Sequence, residues 1–214
     1  MFTGIVEEVG RVTGIEQRRE NRRITIAARN APAELKSGDS IAVSGVCLTA
    51  VDIKPGSFNA DLAPETWSRT SLSRMHEGAL VNLELPMKAD GRFGGHFVQG
   101  HVDGVGKLIA LDRISESENW WLRIELPGDV EKYTVYKGSI SIEGISLTVA
   151  KLEGRICTVA IIPHTVETTN LKSLKPGDPV NLEADLIAKY VEKMMTKEAV
   201  ESALTVEELV RQGF

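Results

Sequence analysis

The chain has 214 residues, of which 42% are hydrophobic and 26% charged, and its formal net charge is −5. These values indicate a globular protein of one or two domains and exclude collagen-like, coiled-coil and disordered chains. An acidic chain without a basic run is a poor nucleic-acid binder, and no stretch is apolar for long enough to form a membrane helix. With two cysteines, Cys47 and Cys157, and no basic segment ahead of its first apolar residues, we expect a cytoplasmic protein.

Strand signals dominate the first part of the chain. Residues 22–28, 39–45, 47–53 and 80–86 alternate apolar and polar side chains and are bounded by Gly, Pro, Asn or Asp. The segment 70–75 (TSLSRM) is predicted to be a short helical turn that opens with a capping-type Thr.

The same signals return in the second part of the chain. Trp120 and Trp121 are adjacent, so in a strand they are expected to point to opposite faces. The segment 168–174 (TTNLKSL) predicts a second helical turn. The predicted strands here are residues 120–126, 138–144, 146–152, 156–162 and 179–185.

The two parts are copies of one sequence. Four blocks recur in the same order, displaced first by 96 and later by 99 positions, which is the size of a small domain rather than of a solenoid unit. The matched blocks are TGIVEEVGRV with QGHVDGVGKL, SIAVSGVCLT with SISIEGISLT, Pro64-Glu65-Thr66 with Pro163-His164-Thr165, and VNLE at 81–84 with VNLE at 180–183.

Short strands with little helix favour a sandwich or a closed barrel, and about six strands per copy favour the barrel. We expect an all-β protein with two homologous six-stranded antiparallel Greek-key β-barrels followed by a C-terminal α-helix. The expected domains are 1–97, 98–187 and a helical tail at 188–214, with the first join near Gly94 and Gly95.

The tail begins with an amphipathic pattern. At helical spacing, residues 186–195 place Leu, Ile, Tyr, Val and Met side chains on one stripe. The stripe is expected to pack either on the chain's own barrels or on the helices of neighbouring subunits. A capping box at Thr205 predicts a second short helix.

Several single features have ordinary structural interpretations. His96 and His101 lie five residues apart without the close Cys and His pairs of a zinc site, so no metal is expected. The glycines between Gly91 and Gly106 do not fit a phosphate-binding fingerprint and favour barrel turns. Cys47 is either a nucleophile or simply buried in its strand.

Matched positions of the two copies differ in chemistry. The second copy has His101, Lys137, Ser146 and Asp185 where the first has Ile, Gly, Cys and Pro, whereas Thr49 and Thr148 are matched in both copies. These differences are either drift or the mark of two related pockets with unequal roles. Hydroxyl-rich strand ends favour a polyhydroxylated ligand.

The motifs MFTGIV, GHV, CLT and EGISLT resemble the riboflavin synthase family of the alpha type. The resemblance implies a transferase that dismutates two molecules of 6,7-dimethyl-8-ribityllumazine to riboflavin and 5-amino-6-(D-ribitylamino)uracil, without metal or cofactor. It also implies a homotrimer held by C-terminal helices, with each active site between the first barrel of one subunit and the second barrel of a neighbour. An association with lumazine synthase is left open.

The resemblance also implies substrate-contacting residues in each of the two barrels. Phe2 and Asp185 match functionally important positions. The first-barrel set is Gly4, Ile5, Val6, Cys47, Leu48, Thr49, Asp61, Leu62, Ala63, Pro64, Glu65 and Thr66, and the second-barrel set is Gly100, His101, Val102, Lys137, Ser146, Leu147, Thr148, Ala160, Ile161, Ile162, Pro163, His164 and Thr165.

We hypothesise that His101 and Ser146 assist proton transfer at the 7-methyl group of one lumazine, while Thr148 orients its ring. Cys47, or a water that it holds, is the candidate nucleophile towards the other lumazine. Lys137 and Asp185 are expected to bind polar ring or ribityl groups.

Two other functions remain open at this point. A lumazine-binding antenna protein shares the doubled barrel and holds a chromophore unchanged, and an oligomerising barrel module binds no ligand. The polar motifs in both copies and the amphipathic tail favour the enzyme.

Overall fold

A computed structural model of the chain describes residues 1–195, 210, 211 and 213. Within these residues, antiparallel strands form two closed barrels of six strands each, which confirms the predicted fold. The first barrel contains β1 (Glu8–Arg18), β2 (Asn21–Ala27), β3 (Ser40–Val43), β4 (Val46–Lys54), β5 (Ser57–Leu62) and β6 (Leu80–Glu84). The second contains β7 (Gly104–Arg113), β8 (Trp120–Glu125), β9 (Ser139–Ile142), β10 (Ile145–Glu153), β11 (Ile156–Ile161) and β12 (Pro179–Ala184).

Both barrels close in the same strand order. In the first, β2 lies beside β5 rather than β3, and β6 pairs with both β1 and β3, which is a Greek-key connection. The second barrel repeats this arrangement. Alternating strand residues fill each interior, as Ile24, Ile26 and Phe58 do in the first barrel with no exposed surface. Trp120 packs on the second core while Trp121 is 38% exposed, as the alternation predicted.

Short helices join the strands at equivalent places. The predicted helical turns are 3₁₀ helices, and the first is capped by Thr70, whose Oγ1 accepts a hydrogen bond from the backbone N–H of Leu72. Thr169 caps the second in the same way. The helices are α1 (Ala31–Glu34), α2 (Pro64–Arg69), α3 (Gly128–Glu131), α4 (Pro163–Thr168) and α5 (Leu186–Met195), with the 3₁₀ turns at Ser71–Arg74 and Asn170–Ser173.

The barrels meet through a buried polar interface with approximate twofold symmetry. Asn82 Nδ2 donates to the Glu143 carbonyl at 2.9 Å, and the matched Asn181 Nδ2 donates to the Ser44 carbonyl at 2.8 Å. Both asparagines are almost completely buried. Because buried polar groups must be paired, these reciprocal bonds fix how one barrel sits on the other.

The helix α5 contacts the second barrel through polar side chains. Lys189 Nζ lies 2.7 Å from Asp103 Oδ2, and Tyr133 Oη donates to the carboxylate of Glu192. Burial of its apolar stripe on the chain's own barrels is not observed, because Ile187, Tyr190, Val191, Met194 and Met195 are each about half exposed or more.

The helix predicted to open at Thr205 lies outside the described residues. Over the part of the chain that is described, no helix has both the length and the apolar character needed to cross a membrane.

Candidate active site: two pockets served by crossed arms

Two short segments meet at the centre of the molecule. We call residues 2–6 the first arm and residues 98–102 the second arm. Phe2 N donates to the Val98 carbonyl at 2.7 Å and Val98 N donates to the Phe2 carbonyl at 3.2 Å, so the arms pair in antiparallel fashion. From this crossing they run in opposite directions.

Each arm docks on the barrel of the other copy. The Gly4 carbonyl accepts from Ser146 N at 2.7 Å, whereas the Gly100 carbonyl accepts from Cys47 N at 2.8 Å. Val6 accordingly packs on the second core and Val102 on the first.

The docking corrects the expected grouping of the site residues. Gly4, Ile5 and Val6 lie against the second barrel, and Gly100, His101 and Val102 lie against the first. Order along the chain suggested the opposite, because an exchange of backbone partners between two copies leaves no trace in periodicity or spacing.

Glycine is required where each arm touches its barrel. Gly4 and Gly100 have φ of +78° and +79°, in the left-handed region. A Cβ on Gly4 would lie 2.6 Å from Ser146 Cβ, and one on Gly100 would lie 2.6 Å from Cys47 Cβ. Neither contact is sterically possible, so these glycines allow the arms to approach Ser146 and Cys47.

The first pocket is the end of the first barrel where the second arm docks. Cys47 is half-buried and Thr49 is exposed on the same face of β4, and the exposed His101 follows Gly100. The register Ala50↔Ala60 places the start of β4 beside the end of β5, which leads into residues 61–66. The structure therefore brings Cys47, Thr49 and His101 to one end of the barrel.

The second pocket is the matching end of the second barrel. Ser146 is half-buried and Thr148 exposed on one face of β10, and Ile5 of the first arm is 47% exposed. The end of β11 brings residues 160–165 to the same place. The Lys137 backbone, with φ +64°, bonds to β10 where the first barrel uses left-handed Gly38.

A cavity lies between the first arm, the first barrel near Glu84 and the linker between the barrels. Its volume is about 370 Å³, and its walls include Thr3, Ile5 and the linker between the barrels at Gly91 and Gly94. This size is within the range of small-molecule sites.

His96 is a candidate that the sequence interpretation missed. Its Nδ1 lies 2.7 Å from Ser146 Oγ, and the side chain is 7% exposed. Burial lowers the pKa of His96 below its usual value of 6.5, although the charge of Asp185 acts in the opposite direction. The neutral imidazole can therefore accept a proton from the Ser146 hydroxyl.

Comparison of the two copies gives no signal for His96. At the displacement of 96 that relates the arms, the position matched to His96 lies outside the residues 1–214 that were compared. Comparison of the copies could not single it out.

Phe2 and Asp185 occupy supporting positions. Phe2 has no exposed surface and packs with Ala42 and Val98. Asp185 begins α5, where its Oδ1 accepts from Ile187 N at 2.9 Å, and it lies near enough to act on His96.

The two cysteines are free and differ in accessibility. Cys157 is completely buried, and this burial raises the pKa of its thiol to about 11. Cys47 is half-buried at the first pocket. In the described part of the chain, no cluster of three or more His, Cys, Asp or Glu side chains could hold a metal ion.

Comparison with known proteins gives one consistent family. The family model described as "Lumazine binding domain" matches twice, at residues 3–86 and 99–185. The riboflavin synthase of Actinobacillus pleuropneumoniae is 43% identical over the whole of both chains. That of Mycobacterium bovis is 48% identical over 91% of this chain and 98% of its own.

Solved structures share the fold. The crystal structure of LumP complexed with 6,7-dimethyl-8-(1'-D-ribityl)lumazine has a TM-score of 0.77 and 24% identity, and covers 86% of this chain and 99% of that one. The doubled barrel, the matches of both halves to one family model and the full-length relatives agree, and the chain belongs to the riboflavin synthase family of lumazine-binding proteins.

Proposed function

We propose that the chain is a riboflavin synthase, a transferase that moves a four-carbon unit between two 6,7-dimethyl-8-ribityllumazine molecules. One becomes riboflavin and the other 5-amino-6-(D-ribitylamino)uracil. The observation that carries the proposal is a pair of matched pockets with different polar groups, Cys47 and His101 in the first and Ser146 with His96 in the second. A reaction between two identical molecules needs two similar sites with unequal roles.

The second pocket is suited to removing a proton from the 7-methyl group of one lumazine. Ser146 Oγ takes this proton as its own hydroxyl proton passes to His96 Nδ1, 2.7 Å away. Thr148, on the same face of β10, orients the ring. Positioned acid–base groups of this kind contribute roughly a hundred- to ten-thousandfold to a rate.

The first pocket then holds the acceptor lumazine. Cys47, or a water bound by it, is the candidate nucleophile at C7 of this molecule, and His101 of the docked arm is the candidate for moving a proton there. Lys137 and Asp185 support the second pocket, and Asp185 does so through its effect on His96. Holding two dilute molecules face to face lowers the barrier by ~7–11 kcal/mol when the rings are well aligned.

The active site is proposed to lie between subunits. The arms run in opposite directions from the Phe2–Val98 pairing and dock on different barrels, which supports two pockets that lie apart within one chain. The first pocket of one subunit therefore faces the second pocket of its neighbour in a homotrimer. The uncovered stripe of α5 supports a subunit contact through the tail at 188–214, after barrels at 1–97 and 98–187.

The proposal includes a cytoplasmic location, which the free cysteines support. An association with lumazine synthase stays a prediction.

Turnover of dimethylribityllumazine, followed by absorbance, tests the reaction. The enzyme forms one riboflavin per two lumazines consumed. An unchanged bound chromophore would instead identify an antenna protein, and the absence of binding would identify an interaction module.

Mixed oligomers test the shared site. His101→Gln damages only first pockets and Ser146→Ala only second pockets, so coexpression of the two variants assembles some sites from two intact pockets. We expect recovery of activity above either variant alone. If the site lies within one chain, every site carries one defect and no activity returns.

A further inference from the structure

Each arm is held by a buried carboxylate at the end of the last strand of its own copy. Glu183 Oε1 accepts from Gln99 N at 2.7 Å, and its Oε2 accepts from Gly100 N at 2.9 Å and His101 N at 3.2 Å. Glu183 is 2% exposed. Three consecutive backbone N–H groups of the second arm therefore converge on one side chain.

The first arm is held in the same way. Glu84 Oε1 accepts from Thr3 N at 2.6 Å and Thr3 Oγ1 at 2.8 Å, and its Oε2 accepts from Gly4 N at 3.0 Å. Glu84 is 5% exposed. Burying a carboxylate is costly unless hydrogen bonds compensate it. Its presence at matched positions of both copies indicates that the arms need this acceptor.

We propose that Glu183 is a positioning residue for the reaction: it fixes the backbone of the second arm so that His101 stands at the first pocket beside Cys47. This inference rests on the proposed function. Glu84 does the same for the first arm, but the side chain that it positions is the apolar Ile5. The two carboxylates thus have the same geometry and different chemical consequences.

A carboxylate suits this position because both of its oxygens accept hydrogen bonds. The left-handed Gly100 keeps the second arm out of a regular strand, so its N–H groups need side-chain acceptors. A glutamine has one oxygen, and its NH₂ group would face at least one backbone N–H. Glu183→Gln therefore retains size and shape while removing part of the support.

The charged surroundings of Glu183 connect it to α5. Burial raises the pKa of Glu183 to about 7, the N–H groups of the arm and Lys189 act to lower it, and Asp103 acts to raise it. Asp103 also accepts from Ala184 N at 2.8 Å and pairs with Lys189 of α5. The helix proposed to join the subunits is thus attached next to the carboxylate that holds the second arm.

A double-mutant cycle tests the assignment. Glu183→Gln is expected to lower kcat more than it raises KM, by no more than the factor lost in His101→Gln. In the double variant the losses do not multiply, because His101 is already misplaced. The matched control is Glu84→Gln, whose loss multiplies with that of His101→Gln because it acts on the other arm.

Two results would overturn the proposal. One is multiplication of the Glu183→Gln and His101→Gln losses, and the other is a Glu84→Gln variant that behaves like Glu183→Gln in the cycle. If Glu183→Gln does not fold, Glu183→Asp, which keeps the charge on a shorter side chain, takes its place in the same cycle.

Amide hydrogen exchange separates this inference from the proposed function. Glu183→Gln should speed exchange at residues 99–101 and leave residues 3–5 protected, and Glu84→Gln should do the reverse. If the wild-type protein makes no riboflavin, the proposed function fails, but the exchange pattern still decides whether Glu183 holds the arm. Unchanged exchange at 99–101 refutes the positioning role.

Discussion

Replacement of Gly100 by alanine should displace the second arm and destabilise the protein more than an ordinary glycine-to-alanine substitution does. The added Cβ would lie 2.6 Å from Cys47 Cβ and 2.7 Å from Cys47 N. The residue also has a φ of +79°, which disfavours a side chain. To accommodate alanine, the arm must move away from β4 and lengthen the 2.8 Å bond from Cys47 N to the Gly100 carbonyl.

Three contributions add to the expected loss. The left-handed conformation costs an alanine about 1–2 kcal/mol. Overlap in a packed site typically costs about 1–3 kcal/mol. Loss of the buried hydrogen bond costs about 1 kcal/mol. Gly100→Ala should thus destabilise the protein by about 3–6 kcal/mol and abolish most activity, because His101 follows directly in the chain.

Gly56→Ala is the matched control. Gly56 has a φ of +81° but lies in the β4–β5 turn with nothing within 4 Å of the added Cβ, so it carries the conformational cost alone. Urea unfolding and riboflavin formation are measured for both variants. The difference in unfolding free energy, about 2–4 kcal/mol, isolates the contact between arm and barrel. Equal losses in the two variants would refute the crossed-arm geometry.

Three further predictions concern titratable groups. His96→Ala should lower kcat by roughly a hundredfold or more, since it removes the proton acceptor beside Ser146. Steady-state riboflavin formation by the folded variant measures this, and an unchanged kcat contradicts the assignment. Because the pKa of Glu183 is raised from 4.5 to about 7, its contribution to stability is complete below pH 4.5 and is lost as the pH rises through 7. The loss amounts to up to about 3 kcal/mol, at ~1.4 kcal/mol per pH unit. Urea unfolding from pH 4.5 to 7.5 should show this slope in the wild type and a smaller one in Glu183→Gln. Cys47 should react with a thiol reagent at pH 8 in the folded protein, whereas Cys157 should react only after unfolding, because burial raises the pKa of its thiol to about 11. Equal reaction rates of the two cysteines in the folded protein would contradict this prediction.

The fold was predictable because the sequence contains two copies of one barrel. The alternation in residues 22–28 and 120–126 is weak in either copy alone, but its recurrence in the same order identifies β2 and β8. The backbone keeps the repeat even where the matched residues differ, since Lys137 adopts the left-handed conformation that Gly38 adopts in the first copy. Local pattern and tertiary structure agree wherever a strand packs on its own barrel.

The site was only partly predictable because its parts come from different barrels. The residues at 47–49 and 146–148 lie at matched places near the starts of β4 and β10. The docking of the arms could not be predicted in this way, because their contacts are backbone hydrogen bonds between the copies, which leave no periodic pattern of side chains. His96 could not be predicted for a related reason, since it belongs to the linker between the barrels and lies outside the matched blocks of the two copies.

The crossed arms change how the differences between the copies are interpreted. Along the chain, His101 and Ser146 both belong to the second copy, which suggests one chemically equipped barrel and one plain barrel. In the structure the second arm, which carries His101, docks on the first barrel at Cys47, whereas Ser146 lies in the second barrel beside His96. Each proposed pocket therefore combines residues of both copies, and we expect a substitution in one arm to act on the pocket of the other copy's barrel. The exchange thus allows two copies of one domain to acquire unequal roles while both remain necessary.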